Sequence, residues 1–182
     1  MTTATEVGYV EMRIAKVVGL ATAEDEPFHY VVLEEVAGDR QLAIAIGHAE
    51  AFSLAARLGG IAWPRPMTYQ FVAALVRALG GRVLKVRIDR VVEETYIGTV
   101  EVEGPPGVQA IDARPSDALN LAALVRAPIF AAAGVLQEAE ARRAGDSPEA
   151  ARLRRALVAP PVTVGTVGMP GGMWVQRHPE DQ

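Results

Sequence analysis

The strand-to-helix junction at residues 111–118, with the sequence IDARPSDA, constrains the fold of this chain more than any other feature. Pro115 suits the first turn of a helix, because its missing N–H has no hydrogen bond to lose there. Arg114 precedes the proline and is therefore driven towards extended geometry. Ser116 and Asp117 place a hydroxyl and a carboxylate at the positive end of the helix dipole. The junction predicts a chain in which strands feed helices.

The same junction allows two interpretations. In the first, it is a capped turn that only ends a strand and starts a helix. In the second, it is a functional site, because strand ends that feed helices often hold ligands in mixed α/β proteins. The second interpretation gives the candidate catalytic residues Glu50, Asp112, Arg114, Ser116 and Asp117.

Composition narrows the classes of function. The 182 residues suffice for one domain with a sizeable core. A net charge of −4 gives no general attraction to nucleic acid or to anionic membranes, although an enzyme can still act on nucleic acid transiently. The chain has no cysteine, which excludes disulfides, thiolate metal sites and cysteine nucleophiles. It has neither a signal-like start nor a run of about 20 apolar residues, so we expect a cytoplasmic protein that does not bind membranes.

Half of the residues are hydrophobic, which is a high share for a soluble monomer. Some of this apolar surface is therefore expected to be buried between subunits, most simply in a homodimer. The C-terminal residues Met169, Met173, Trp174 and Val175 have little polar cover and are candidates for such an interface.

Hydrophobic periodicity predicts an α+β fold with mixed β-sheets. Strands are expected at 7–20, 30–36, 41–46, 83–88, 96–103 and 108–111, and helices at 49–58, at 68–79 and from the junction to about 126. Thr68 is expected to cap the second helix, which presents the apolar residues Phe71, Leu75, Val76 and Leu79.

The chain also matches itself without a gap at a constant offset. Residues 30–34 align with residues 97–101, and residues 44–56 align with residues 111–123. Glu50 falls on Asp117 in this alignment, as a conservative exchange near the start of each helix. The match predicts an internal duplication of a strand–strand–helix unit, covering 30–56 and 97–123.

After Leu136 the sequence changes in character. A charged helical segment is followed by a helix-start signal at residues 145–149 and then by alanine with clustered arginine. A proline- and glycine-rich stretch ends the chain. We expect a main domain at 1–138 and a C-terminal helical and Gly/Pro-rich appendage at 139–182.

The order of these motifs resembles the bifunctional nuclease family. The turn at residues 46–51, the Arg-Pro pair at 65–66, the run at 112–118 and the segment at 127–129 occur in the family's order, and the run matches it letter for letter. The resemblance covers about residues 10–138. It implies hydrolysis of phosphodiester bonds in DNA and RNA, although many bacterial members have no demonstrated reaction.

This chain departs from the family at two adjacent residues that could take part in catalysis. Where the family usually has Thr-His-Asp-Leu, this sequence has Thr68, Tyr69, Gln70 and Phe71. Histidine is the usual general acid or base, and aspartate is a usual ligand of hard metal ions. If those two family residues catalyse, this chain is a degenerate member. If they only cap the helix, Thr68 keeps the capping role and no function is lost.

A metal-dependent nuclease would place its residues as follows. Asp112 and Asp117 would hold Mg²⁺ or Mn²⁺, with Glu50 as a further carboxylate. Arg114 and Arg65 would stabilise the charge that develops on the phosphate. The remaining candidates are His48 as a base and Tyr69 and Trp63 as stacking partners for a nucleic-acid base. In the purely structural alternative, each acid caps its helix and each arginine pairs with the nearest acid. Trp63 and Tyr69 would then pack in the core or at an interface, and His48 would be a polar surface residue.

Two functions therefore stay open. The first is metal-assisted hydrolysis of nucleic acid at the 112–117 junction. The second is a non-catalytic oligomeric module of the same fold, which binds a partner or a small ligand in the same groove. The acidic balance and the missing His-Asp pair favour the second function, whereas the family resemblance favours the first.

Overall fold

The structure is a computed structural model, and it describes residues 8–20, 28–164 and 176–177. The described residues form nine strands and five helices. In chain order these elements are β1 (Tyr9–Leu20), β2 (Phe28–Glu35), β3 (Gln41–Ile46), α1 (His48–Leu58), α2 (Thr68–Ala78), β4 (Arg82–Val92), β5 (Thr95–Gly104), β6 (Gly107–Ala113), α3 (Pro115–Val125), β7 (Ile129–Ala132), α4 (Ala133–Ala144), α5 (Pro148–Val158), β8 (Thr163–Val164) and β9 (Gln176–Arg177).

The main sheet has seven strands in the order β3-β2-β1-β7-β4-β5-β6 within the described part of the chain. Strands β1 to β3 form one antiparallel meander, and strands β4 to β6 form another. The short strand β7 joins the two meanders, pairing antiparallel with β1 and parallel with β4. The α+β fold with a mixed sheet, predicted from the sequence, is therefore confirmed.

The main core lies on one face of the sheet, under helices α1, α3 and α4. Helix α5 covers the other face, where Leu153 and Ala156 pack against Val18, Tyr30 and Val32. Strand β2 is buried on both faces, which explains why its sequence is a continuous apolar run rather than an alternating one.

Helix α2 buries a small apolar residue and exposes its large ones. Phe71, Leu75 and Leu79 are exposed, and the buried residue of this helix is Ala73. Thr68 is also the first residue of the helix rather than its cap. The side-chain oxygen of Gln70 instead accepts a hydrogen bond from the Met67 N–H at 2.6 Å. The largest of the apolar residues that the sequence assigns to this helix therefore face outwards.

The two segments of the predicted duplication share the same order of elements, a hairpin followed by a helix. Helices α1 and α3 begin and end at equivalent positions of the gap-free alignment. The strand pairing differs, because Val31 pairs with Ile44 whereas Ile111 pairs with Val100, two residues beyond the aligned position. One constant offset does not relate both hairpins, and the duplication stays a prediction that superposition of the two segments would test.

The expected division between residues 138 and 139 falls inside α4, which continues to Ala144 and buries Ala139 in the core. The division into a domain and an appendage stays a prediction. Met169, Met173, Trp174 and Val175 lie outside the described residues. Among the described helices, none has the length and apolar character needed to cross a membrane.

Candidate functional site

The candidate site forms where helices α1 and α3 begin, because each helix follows directly from the last strand of one meander. Arg114 is the N-cap of α3 and has the extended backbone expected before Pro115. The start of α3 lies tightly against strand β5 at Gly98. A Cβ atom at Gly98 would lie 3.0 Å from the Ala113 carbonyl oxygen, so an alanine here would force the neighbouring backbone to shift.

Arg114 joins the two helix starts. Its Nε donates to Asp117 Oδ2 at 2.8 Å, and its Nη2 donates to Glu50 Oε1 at 2.8 Å and to Asp117 Oδ1 at 3.2 Å. The guanidinium side chain is largely exposed, whereas the Glu50 side chain is mostly buried. These hydrogen bonds to Asp117 and Glu50 raise the pKa of Arg114, so its positive charge is permanent. The sequence correctly placed Glu50, Arg114 and Asp117 together.

Tyr69 completes this cluster from helix α2. Its hydroxyl donates to Asp117 Oδ1 at 2.7 Å. Burial and this hydrogen bond raise the pKa of Tyr69, so the phenol stays protonated and acts as a donor. Burial alone would raise the pKa of Asp117, but the hydrogen bonds from Arg114 and Tyr69 outweigh it and hold that pKa below the ordinary value. We call Glu50, Tyr69, Arg114 and Asp117 the Arg114 cluster.

Asn120 supports the cluster from below, and sequence reasoning did not identify it. This residue is 3% exposed, and its Nδ2 donates to the Glu50 carbonyl at 3.1 Å and to the Ser116 carbonyl at 2.9 Å. The amide therefore ties the first turn of α1 to the first turn of α3. The signal that could have identified it is a lone polar residue, between Leu119 and Leu121, in the apolar part of the helix that follows the first turn.

Asp112 lies apart from the cluster because of strand alternation. Its cross-strand partner is Thr99, whereas the neighbouring Ile111 is paired with Val100 in the helix-covered core. Since cross-strand partners share a face, Asp112 lies on the sheet face opposite α3. Thr99 donates its hydroxyl to Asp89 on that face. The structure thus does not bring Asp112 to the position that the predicted metal site requires.

Three further candidates also lie outside the cluster. Arg65 is exposed in the connector between α1 and α2, with no hydrogen bond or ion pair to any described residue. The first residue of α1, His48, lies against the buried His29, with Nδ1 and Nε2 3.3 Å apart. Trp63 packs against Phe52, with ring centroids 5.8 Å apart, as expected for a packing role.

A cavity of about 430 Å³ opens beside the start of α3. Its walls come from β3, from the turn between β4 and β5, and from α4 and α5. Its charged lining comprises Arg114, Arg142, Glu94 and Glu149. Ser116 also lines it, is mostly buried, and makes no side-chain hydrogen bond within the described part of the chain. Arg114 is the residue of the Arg114 cluster that lines this cavity, which is large enough for a small ligand or one unit of a polymer.

The donor set of the cluster does not resemble a finished metal site. Among the described residues, no group of three or more histidine or acidic side chains could hold a metal ion. Arg114 already lies between the two carboxylates that remain together, Glu50 and Asp117. A divalent cation at that place would compete with the guanidinium.

Comparison with known proteins identifies the family. The family model for the bifunctional nuclease domain matches residues 31–144, well over half of the chain. An uncharacterized protein of Mycobacterium tuberculosis is 34% identical over 124 residues, which cover 68% of this chain and 74% of that protein. Bifunctional nuclease 1 of Oryza sativa subsp. japonica is 30% identical over 114 residues, which cover 60% of this chain but 34% of the rice protein. This chain therefore belongs to the bifunctional nuclease domain family.

Proposed function

We propose that this protein hydrolyses phosphodiester bonds of nucleic acid at the Arg114 cluster. The observation that carries the proposal is the fork of Arg114 across Glu50 and Asp117 at the edge of the 430 Å³ cavity. Family membership adds support, since the rice relatives are named bifunctional nucleases. The net charge of −4 fits weak and transient contact with nucleic acid rather than stable binding.

Each residue of the cluster has a distinct role in this proposal. Arg114 Nη1 has no hydrogen-bond partner among the described residues and is free to donate to a phosphate oxygen. A guanidinium held by two carboxylates is already oriented when negative charge develops on the phosphate. Glu50 would accept the proton of the attacking water as its oxygen bonds to phosphorus, while the P–O bond to the departing nucleotide breaks and that oxygen takes a proton from solvent. Tyr69 and Asp117 would position Arg114. Arg65 could contact the flanking strand from the exposed connector.

A requirement for Mg²⁺ or Mn²⁺ stays a prediction. The pair predicted to hold the metal, Asp112 and Asp117, does not fit, because Asp112 lies on the other face of the sheet. Glu50 and Asp117 fit only if Arg114 leaves its place between them. We therefore assign no step of the reaction to a metal.

The test is a cleavage assay on single-stranded and duplex DNA and RNA, with protein purified away from host nucleases. Reactions with Mg²⁺, Mn²⁺ and EDTA measure the metal requirement. We expect Arg114→Ala and Glu50→Gln to abolish cleavage. Asp112→Asn is the matched control, because it removes a carboxylate of the same junction that lies outside the cluster, and it should retain full activity. Equal activity of the wild type and Arg114→Ala would refute the proposal.

One observation favours the alternative function, a non-catalytic binding module. Both carboxylate oxygens of Asp117 already accept hydrogen bonds, from Arg114 and from Tyr69, so this acid holds side chains of the protein itself in place. In this case the cavity would bind a ligand without turnover. Absence of cleavage under every metal condition, together with saturable binding of an oligonucleotide that Arg114→Ala weakens, would establish this function instead.

A further inference from the structure

Helix α2 carries an exposed apolar ridge. Met67, Phe71, Leu75 and Leu79 follow one another at intervals of four residues and therefore lie along one side of the helix. All four are exposed, with Phe71 and Leu79 at 61% and 69%. Helix α2 and its flanking caps carry one charged residue, Arg77. Such a ridge is costly to leave in water and is typical of an interface.

Strand β6 is an open edge of the sheet with little protection. It pairs with β5 on one side, and no described strand pairs with its other side. Every residue of β6 except Ala113 is exposed, and residues 107–111 contain no charge and no proline. Edge strands of monomeric proteins are usually guarded by charges, prolines or bulges. This edge is thus suited to pair with another strand.

The ridge and the edge lie side by side. The start of α2 reaches the start of α3 through the bond from Tyr69 to Asp117, just beyond the end of β6. The end of α2 lies beside the turn that precedes β6, since a Cβ at Gly80 would be 3.7 Å from Pro105 Cγ. Ile111 of β6 lies on the face of the sheet that α2 covers, because it pairs with the core residue Val100.

We propose that a second copy of this chain occupies this surface and forms a twofold homodimer. Strand β6 would pair antiparallel with its copy, so that the two sheets become one, and the two α2 ridges would pack against each other on the same face. Both contacts obey one twofold axis perpendicular to the sheet. This geometry gives every exposed apolar residue of α2 an apolar counterpart.

The chemistry of the surface selects a copy over an unrelated partner. A partner recognised by charge would need charged residues on this face, and the ridge has none. The exposed parts of Met67, Phe71, Leu75, Leu79, Val108 and Ile111 amount to roughly 600 Å², against the ~800 Å² per partner that a stable interface typically buries. The paired β6 strands and their flanking side chains supply the remaining buried area, and the backbone groups of the two strands hydrogen-bond to each other.

The first experiment measures mass by light scattering with wild-type protein at micromolar concentration. We expect twice the 19.4 kDa of one chain. Leu75→Glu combined with Leu79→Glu should give a folded monomer by mass and circular dichroism, because both side chains are exposed in one copy. Val158→Glu is the matched control, since Val158 is 84% exposed on α5, and it should stay dimeric. A monomeric wild type, or a dimer that survives the double substitution, would overturn the proposal.

A second experiment does not depend on the folding of charged variants. The chain has no cysteine, so a single introduced thiol can be crosslinked without background. Leu75 lies near the middle of the ridge and should face its own copy across the twofold axis. Leu75→Cys should therefore form a disulfide-linked dimer under mild oxidation, whereas Val158→Cys should not. Equal crosslinking of both variants would contradict the proposed interface. The same holds if the dimer is lost when Met173 and Trp174 are replaced with serine but persists when α2 is altered.

Discussion

At Arg114, one guanidinium balances two carboxylates that belong to different helices. Replacing Arg114 with alanine leaves Glu50 and Asp117 facing each other without a cation, and we expect the melting temperature to fall. Arg114→Lys should recover part of the loss, because an ammonium cannot form the fork. Differential scanning calorimetry of the wild type and the two variants measures the order of their melting temperatures. An alanine variant that melts with the wild type would show that the cluster adds no stability, and the arginine would then serve function only.

The pKa of Asp117 predicts how this stability depends on pH. Because the folded-state pKa lies below the ordinary value of 3.8, the ionised form is favoured by folding. This contribution is fully present above that value and is lost as the pH falls through the lower, folded-state pKa. The wild type should therefore melt above Asp117→Asn at pH 6, and the difference should shrink below about pH 4. A difference that is constant over this range would contradict the assignment, and Asp112→Asn supplies the control curve.

Tyr69 allows a test of the family motif within this chain. The family usually has histidine and aspartate where this chain has Tyr69 and Gln70. If those residues catalyse, the double substitution Tyr69→His with Gln70→Asp should raise cleavage at least tenfold above the wild type, a change in barrier of about 1.4 kcal/mol. If they only start the helix, cleavage should fall below that of the wild type, because the hydrogen bond from Tyr69 that helps to position Asp117 and Arg114 is lost. Kinetics and calorimetry on the same samples separate the two outcomes.

At the scale of single residues, the sequence predicted most of the cluster but not its limits. The helix-start pattern located Glu50, Arg114 and Asp117, because capping chemistry is local. It could not exclude Asp112, since the face of an exposed edge strand depends on pairing with a distant strand. It also missed Asn120, whose partner is a backbone carbonyl 70 residues away in sequence.

Helices α1 and α3 depend on each other through that asparagine. Asn120→Ala would leave the carbonyl groups of Glu50 and Ser116 without their side-chain donor in a buried position. Both carbonyls keep their partners within their own helices, so we expect the free energy of unfolding to fall by about 1–3 kcal/mol, the typical contribution of two lost hydrogen bonds. Denaturant unfolding measures the loss. Gln137→Ala, at an exposed position of α4, is a polar-to-alanine control and should change stability little.

At the scale of elements, the positions of the strands and helices along the chain were easier to predict than the side that each helix buries. The strands and helices up to residue 126 lie close to their expected positions, because alternation and helical spacing are local signals. The buried side of α2 was not predictable from spacing, since Ala73 is small enough to pack closely while Phe71 and Leu75 remain outside. A second copy would resolve this conflict, because the ridge would then also be buried.

At the scale of the whole molecule, the two segments that align in sequence differ in the strand pairing of their hairpins. The two meanders each end in a helix, but their hairpin turns differ in length, with five residues between β2 and β3 and two between β5 and β6. That difference accompanies the two-residue shift in pairing between Val31–Ile44 and Val100–Ile111. A shift of two residues keeps every side chain on its original face. The shift therefore leaves the alternation of the sequence intact, which is why a gap-free alignment could not reveal it.

The C-terminal region offers a test of whether the chain unfolds as one unit. Leu153 of α5 is buried against β1, β2 and β3, so Leu153→Ala should lower the free energy of unfolding by about 2–5 kcal/mol, as expected for a truncated core leucine. Val158→Ala removes an exposed side chain from the same helix and should have almost no effect. If α5 belongs to the main fold, unfolding followed by circular dichroism and by tryptophan fluorescence, in a Trp174→Phe background that leaves Trp63 as the emitter, should shift together. A separate early transition for the Leu153 variant, with an unchanged main transition, would show that an independent appendage begins near α5.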